Sequence, residues 1–299
     1  MTCFVRCTDG ERESGDGLKF TDALGREVLL PENPKRTAAL LGSFADAWML
    51  AGGELCAASE DAWQDFALPL DGVVNIGGAH SPSLELLVSA NPDFVIASAS
   101  TASNVAMRDS LESMGITVAY FDVDNFEDYL KMLQILTRIT GRPDLYVKNG
   151  ANLKKEIEEI KERYKALSIP SEERKILLLR AASSFVKAKG SAGTVLGEML
   201  QDIGCVNIAD SESSVLESLS LEAIIRENPY RIFIVTMGDD TQKAKESVMR
   251  MISENPAWQS LDAVKENRIY FMDKTLFNLK PNDRWSEAYE ILYKTLTEK

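Results

Sequence analysis

Residues 83–98 read SLELLVSANPDFVIAS, and residues 220–237 read SLEAIIRENPYRIFIVTM. Ser-Leu-Glu and Asn-Pro recur at the same internal spacing, with Glu85 and Glu222 standing 137 positions apart. Each copy predicts a short helix opened by serine, stopped by Asn-Pro and followed by an apolar strand. Repetition at a fixed offset marks duplicated architecture, and two copies at so long a period predict two similar lobes, not a solenoid.

Outward from the repeat, short apolar runs alternate with amphipathic stretches from residue 18 onward. Strands are expected at 36–41, 55–59, 93–98 and 117–121, then, after an interruption, at 175–180, 231–237 and 268–272. Runs such as KILLLR and RIFIVTM are hydrophobic without alternation, as expected of strands covered by helices on both faces. Strand–helix alternation predicts mostly parallel sheets with right-handed crossovers. The interruption starts with a helix near 126–139 that stops at Gly141 and Pro143. Leu153, Ile157, Ile160, Tyr164 and Leu167 then recur at four-three-four-three spacing among charges, one helix with one apolar stripe, closed by Pro170. A lone stripe where the α/β pattern restarts reads as a connector. The expected division is therefore a tether at 1–17, an N-terminal α/β lobe at 18–142, a connecting helix at 143–170 and a C-terminal α/β lobe at 171–299. The competing reading makes the helix an ordinary crossover in one larger sheet.

The totals agree with this. A chain of 299 residues exceeds what one core usually organises, and 45% apolar with 26% charged residues is ordinary globular composition. A net charge of −13 argues against binding to a phosphate backbone, which needs clustered Lys and Arg. Cys3, Cys7, Cys56 and Cys205 form no CxxC pair, which argues against structural zinc. Cys7 precedes a polar, Gly- and Ser-rich stretch that reads either as the tether of a lipidated cysteine or as a trimmed start with a loose terminus.

In open α/β sheets ligands bind beyond the carboxyl ends of the strands. The loops expected there carry Phe44, Trp63 and His80 in the first lobe and Arg180 and Arg284 in the second. Trp63, in a polar loop, either stacks on a flat ligand or packs into the core. Arg180 ends the apolar run ILLLR and either pairs with an anionic chelate or stays solvated. His80, the single histidine, precedes Ser81-Pro82, read as N-cap and first helical residue; it either meets ligand or is a loop residue. The two repeated glutamates satisfy helix N-termini, and their duplication also offers a two-point electrostatic dock to a dimeric basic partner. No P-loop, GxGxxG, HExxH or GxSxG pattern is present, so enzyme readings rest on little. A chelatase-like enzyme and an acidic adaptor are the alternatives to a binding protein.

Several segments resemble one known family. FTDALGREVLLPENPKRTAAL is similar to the opening strand pair of the substrate-binding proteins of iron-siderophore, haem and cobalamin ABC importers. IGGAHSPSLELLVSANPDFVIAS, LESMGITVAYFD, AKGSAGTVLGEMLQDIGCVNIAD and NRIYFMD followed by WSEAYEILYKTL resemble later blocks of that family, in order, from residue 20 to the C-terminus. The resemblance implies a class III periplasmic binding protein: two doubly wound α/β lobes joined by a single long α-helix, with a ligand cleft between lobes. It implies an extracytoplasmic monomer that is no enzyme and has no resident cofactor or metal, its cargo being a metal chelate. Glu85 and Glu222 match the family's docking glutamates, which meet arginines on a permease dimer served by ATPase subunits. The cargo it implies is a ferric siderophore or haem, with cobalamin as the alternative. Tyr230 departs from the pattern, standing where the second Pro-Asp pair has its aspartate.

Overall fold

Central strands of a parallel sheet are buried on both faces, and the two repeated segments supply them. A computed structural model describes residues 17–30, 34–238 and 240–298. The expected tether at 1–17, with Cys3 and Cys7, falls almost wholly outside the described residues. The first strands, β1 (Leu18–Thr21) and β2 (Glu27–Leu30), form an antiparallel pair. The turn between them is locked by Asp22, which accepts from the backbone N–H of Leu24 and Arg26 (both 3.0 Å) and from the Arg26 guanidinium (2.7 Å).

The first sheet follows, comprising β3 (Thr37–Ala39), β4 (Leu55–Ala58), β5 (Val74–Asn75), β6 (Phe94–Ser98) and β7 (Thr117–Phe121). Its order is β5-β4-β3-β6-β7, all parallel. Arg26 reaches from the β1–β2 turn to the Val118 carbonyl (2.9 Å) and lies over the Tyr120 ring, which fastens that pair to β7. The second sheet comprises β8 (Lys175–Ala182), β9 (Phe185–Ala188), β10 (Val206–Asn207), β11 (Arg231–Thr236) and β12 (Ile269–Met272). Its parallel order is β10-β8-β11-β12, with β9 antiparallel to β8. The seven expected strands are all present. Phe185–Ala188, not among the strands expected, forms the returning arm of a hairpin with β8.

Every residue of β6 and of β11 is buried, as continuous apolar runs require. The helices before them, Leu84–Ser89 and Leu221–Glu227, anchor through Leu87 and Ile224, equivalent positions of the repeat and both fully buried. Leu87 joins a core with Leu40, Ile76, Val95 and Tyr120; Ile224 joins a separate core with Leu179, Ile234, Val248 and Trp258. Asp93 accepts from the backbone N–H of Lys35 and Arg36, holding the start of β3. At Tyr230, the departing position, the ring instead stacks under the Arg268 guanidinium (3.8 Å).

The chain forms two compact α/β units. One contains the residues through Asp122 together with Leu130–Asn149, the other Val123–Tyr129 together with the chain from Gly150 on. The segment expected as one connecting helix consists of a short helix (Pro143–Tyr146), a π-helical turn (Val147–Ala151) and a long helix (Asn152–Ala166). The unit boundary falls inside that turn, and the long helix packs on the closing helix Trp285–Thr297. Leu153, Ile157, Ile160 and Tyr164 are buried in its stripe, whereas Leu167 is exposed because the helix ends before it. No helix among the described residues is long and apolar enough to cross a membrane.

Candidate functional site

Where strand order reverses, neighbouring loops diverge and leave room for a ligand at the carboxyl edge. The reversal lies between β3 and β6 in the first unit and between β8 and β11 in the second. In the first unit the loops after β3 and β4 are fused by Asp61. Its carboxylate accepts from the Gly42 N–H (2.8 Å) and the Ser59 hydroxyl (2.5 Å). A Cβ at Gly42 would lie 2.6 Å from the Ala62 nitrogen, so this approach requires glycine. Trp63, two residues beyond Asp61 in the helix Asp61–Gln64, is half-buried and leaves part of its ring open.

The Glu60 N–H donates to the Gly77 carbonyl (2.9 Å), which joins the Trp63 loop to the loop that carries His80. His80 is exposed, and the neighbouring Ala79 carbonyl accepts from Asn104 (3.3 Å) on the helix Ala102–Ala106 that follows β6. Trp63 and His80 thus sit on linked loops of one carboxyl edge. The helix after His80 is capped by Ser83, whose hydroxyl accepts from the Leu86 N–H, and not by Ser81.

One expected ligand contact is corrected. Phe44 is 2% exposed and packs edge-to-face on Phe121, because the helix Gly42–Leu50 turns that position inward. Arg284 is exposed, and its guanidinium pairs with Glu287 one turn later, at 2.7 and 2.9 Å. That hydrogen-bonded pairing raises the arginine further above its ordinary value and lowers the glutamate.

Arg180 behaves differently. It lies near the carboxyl end of β8, half-buried, and its Nε is buried without a hydrogen-bond partner. Burial lowers its pKa, with the attraction of Asp124 opposing. The antiparallel return of β9 sets Lys187 directly opposite Arg180 and Phe185 opposite Ala182. The alternation Phe-x-Lys-x-Lys after the Ser183-Ser184 turn is the sequence signal for this second arm.

Glu85 and Glu222 occupy the same place in their two helices: exposed, in the first turn, behind serine N-caps. Neither forms a hydrogen bond or ion pair among the described residues. Both helices end at an asparagine with positive φ, Asn91 at 48° and Asn228 at 43°. The repeat is therefore structural as well as textual.

Residues 43–276 match the model of the family described as periplasmic binding protein. The chain belongs to the periplasmic binding protein family. Among family members, the Fe(3+)-citrate-binding protein YfmC of Bacillus subtilis is 23% identical over 270 residues, covering 89% of this chain and 81% of that protein. YvrC of Bacillus subtilis, an uncharacterized ABC transporter substrate-binding lipoprotein, is 25% identical over 268 residues, covering 87% and 79%. The crystal structure of Staphylococcus aureus SirA complexed with staphyloferrin B superposes with a TM-score of 0.74 at 20% identity, covering 94% of this chain and 99% of that one. That likeness extends to the fold.

Proposed function

We propose that this periplasmic binding protein captures a metal chelate outside the cytoplasm and hands it to an ABC importer. The observation that carries this reading is the duplicated pair of exposed, unpaired glutamates on equivalent capped helices. A carboxylate in a first helical turn already complements the helix dipole, so nothing in the fold demands that it stay unpaired. Two such carboxylates, one per unit, suit a dimeric permease that offers one arginine per subunit, with ATPase subunits behind it. The protein works in this reading as a monomer that binds and does not catalyse.

The cargo in this reading is an iron chelate, a ferric siderophore or haem. Supporting this are the cation Arg180 at one carboxyl edge, the partly open Trp63 ring at the other, and the ferric citrate and staphyloferrin B named for YfmC and SirA. In this reading each unit offers its own contacts to a chelate, Trp63 and His80 in the first and Arg180 in the second. The iron arrives wrapped in its chelator. The test is the double substitution Glu85→Arg/Glu222→Arg, read by chelate uptake in cells and by affinity of the purified protein. Uptake should be lost with affinity unchanged. A loss of affinity would move these glutamates into the binding site and end the docking assignment.

A further inference from the structure

Many cations in this acidic protein lie beside carboxylates: Lys161 lies 2.8 Å from Asp202, Arg226 2.5 Å from Glu212 and Lys154 2.8 Å from Glu127. The β8–β9 hairpin gathers on one face three that do not. Side chains alternate across a strand, so one face of the hairpin carries Leu179, Ala181, Val186 and Ala188, which pack into the core of the second unit. The opposite face carries Arg180, Phe185 and Lys187, and the alternation continues to Lys189, whose N–H bonds the Leu178 carbonyl (2.9 Å). None of Arg180, Lys187 and Lys189 has an ion-pair partner among the described residues.

Arg180 and Lys187 are direct cross-strand neighbours, and like charges in that position destabilise a sheet. Their mutual repulsion reaches Lys189, whose pKa is lowered by burial first and then by Arg180 and Lys187. Burial without a partner is costly for a guanidinium, and Arg180 has its Nε in that state. At the open end Phe185 is exposed, and Lys187 Nζ lies 5.4 Å from its ring centroid. A cationic face that costs stability in the free protein, at the edge where ligands bind, is complementary to a concentrated negative charge.

We infer that this face of the hairpin binds the carboxylates of an anionic polycarboxylate ferric chelate. The inference rests on the transport reading and narrows its cargo. Arg180 takes one carboxylate in its planar fork, Lys187 takes a second as a point charge, Lys189 adds charge behind them, and Phe185 walls the rim. A trihydroxamate chelate or a corrinoid without net negative charge would bring no carboxylate to any of the three cations, and Asp124 offsets only part of the charge of Arg180; the two propionates of haem would reach two of the three.

The experiment is isothermal titration calorimetry of the whole protein with ferric citrate, a ferric trihydroxamate, cyanocobalamin and haemin, repeated on Lys187→Gln and Lys189→Gln. Ferric citrate should bind in preference to the other three. Lys187→Gln should weaken it about tenfold, the loss of one charge-assisted contact, and Lys189→Gln should weaken it by less. The melting temperature of Lys187→Gln should equal or exceed that of the parent, since repulsion with Arg180 is relieved; this separates a binding defect from a folding one. Unchanged ferric citrate affinity in both variants, or preference for one of the other chelates, overturns the hairpin assignment and leaves the transport reading standing. Indifference to all four also overturns the hairpin assignment and leaves the transport reading to the uptake test of Glu85→Arg/Glu222→Arg.

Discussion

Asp61 and Gly42 show how single residues set the carboxyl edge of the first sheet. One carboxylate receives donors from the loops after β3 and β4, and the absence of a side chain at Gly42 lets those loops touch. Gly42→Ala should cost about 1–3 kcal/mol, the usual range for overpacking, because the nearest atoms are backbone and cannot swing aside. Chemical denaturation measures that loss, and a shift in tryptophan emission should accompany it as the Trp63 loop moves. A melt and an emission spectrum identical to the parent's would contradict this picture. At this scale the sequence was only partly legible. Arg180 could be read because an arginine closing an apolar strand has few places to go. Phe44 could not, since local sequence does not say which face of a helix the sheet covers. The pairing of Arg284 with Glu287 was present as an i, i+3 spacing and could have been weighed.

Among the elements, the two repeated helices are the informative ones. Serine caps them, a leucine or isoleucine anchors them, and an asparagine in the left-handed region ends them before proline and strand. Asn228 also donates to Asp262 (2.8 Å), tying this corner to the helix Asp262–Lys265. Asn228→Ala loses both the conformational tolerance and the hydrogen bond, and should destabilise by about 1–2 kcal/mol. Asn228→Gly keeps the tolerance and should cost less; equal losses in the two thermal melts would show that backbone strain plays no part. Long buried strands announced themselves through unbroken apolar runs. The two-residue strands β5 and β10 are too short for any period to register. β9 was hidden because it is four residues long and Lys187 makes it look like a polar loop.

For the molecule as a whole, duplication is what the sequence disclosed most fully. Two separate cores, two sheets with reversed strand order and two equivalent helix tips all follow from one repeated segment. The exact unit boundary did not, because the segment Val123–Tyr129 packs with the second unit although it lies in the first half of the chain. Phe126, packed edge-to-face on Trp285 at 5.8 Å, fixes it there, a contact across 159 positions that no local pattern reveals. The measurement that bears most directly on this account is stimulation of ATP hydrolysis by the chelate-loaded protein in a liposome-reconstituted importer. Glu85→Arg and Glu222→Arg should each reduce stimulation, the double variant should abolish it, and reversal of the facing permease arginines to glutamate should restore it. Full stimulation by the double variant would contradict the account.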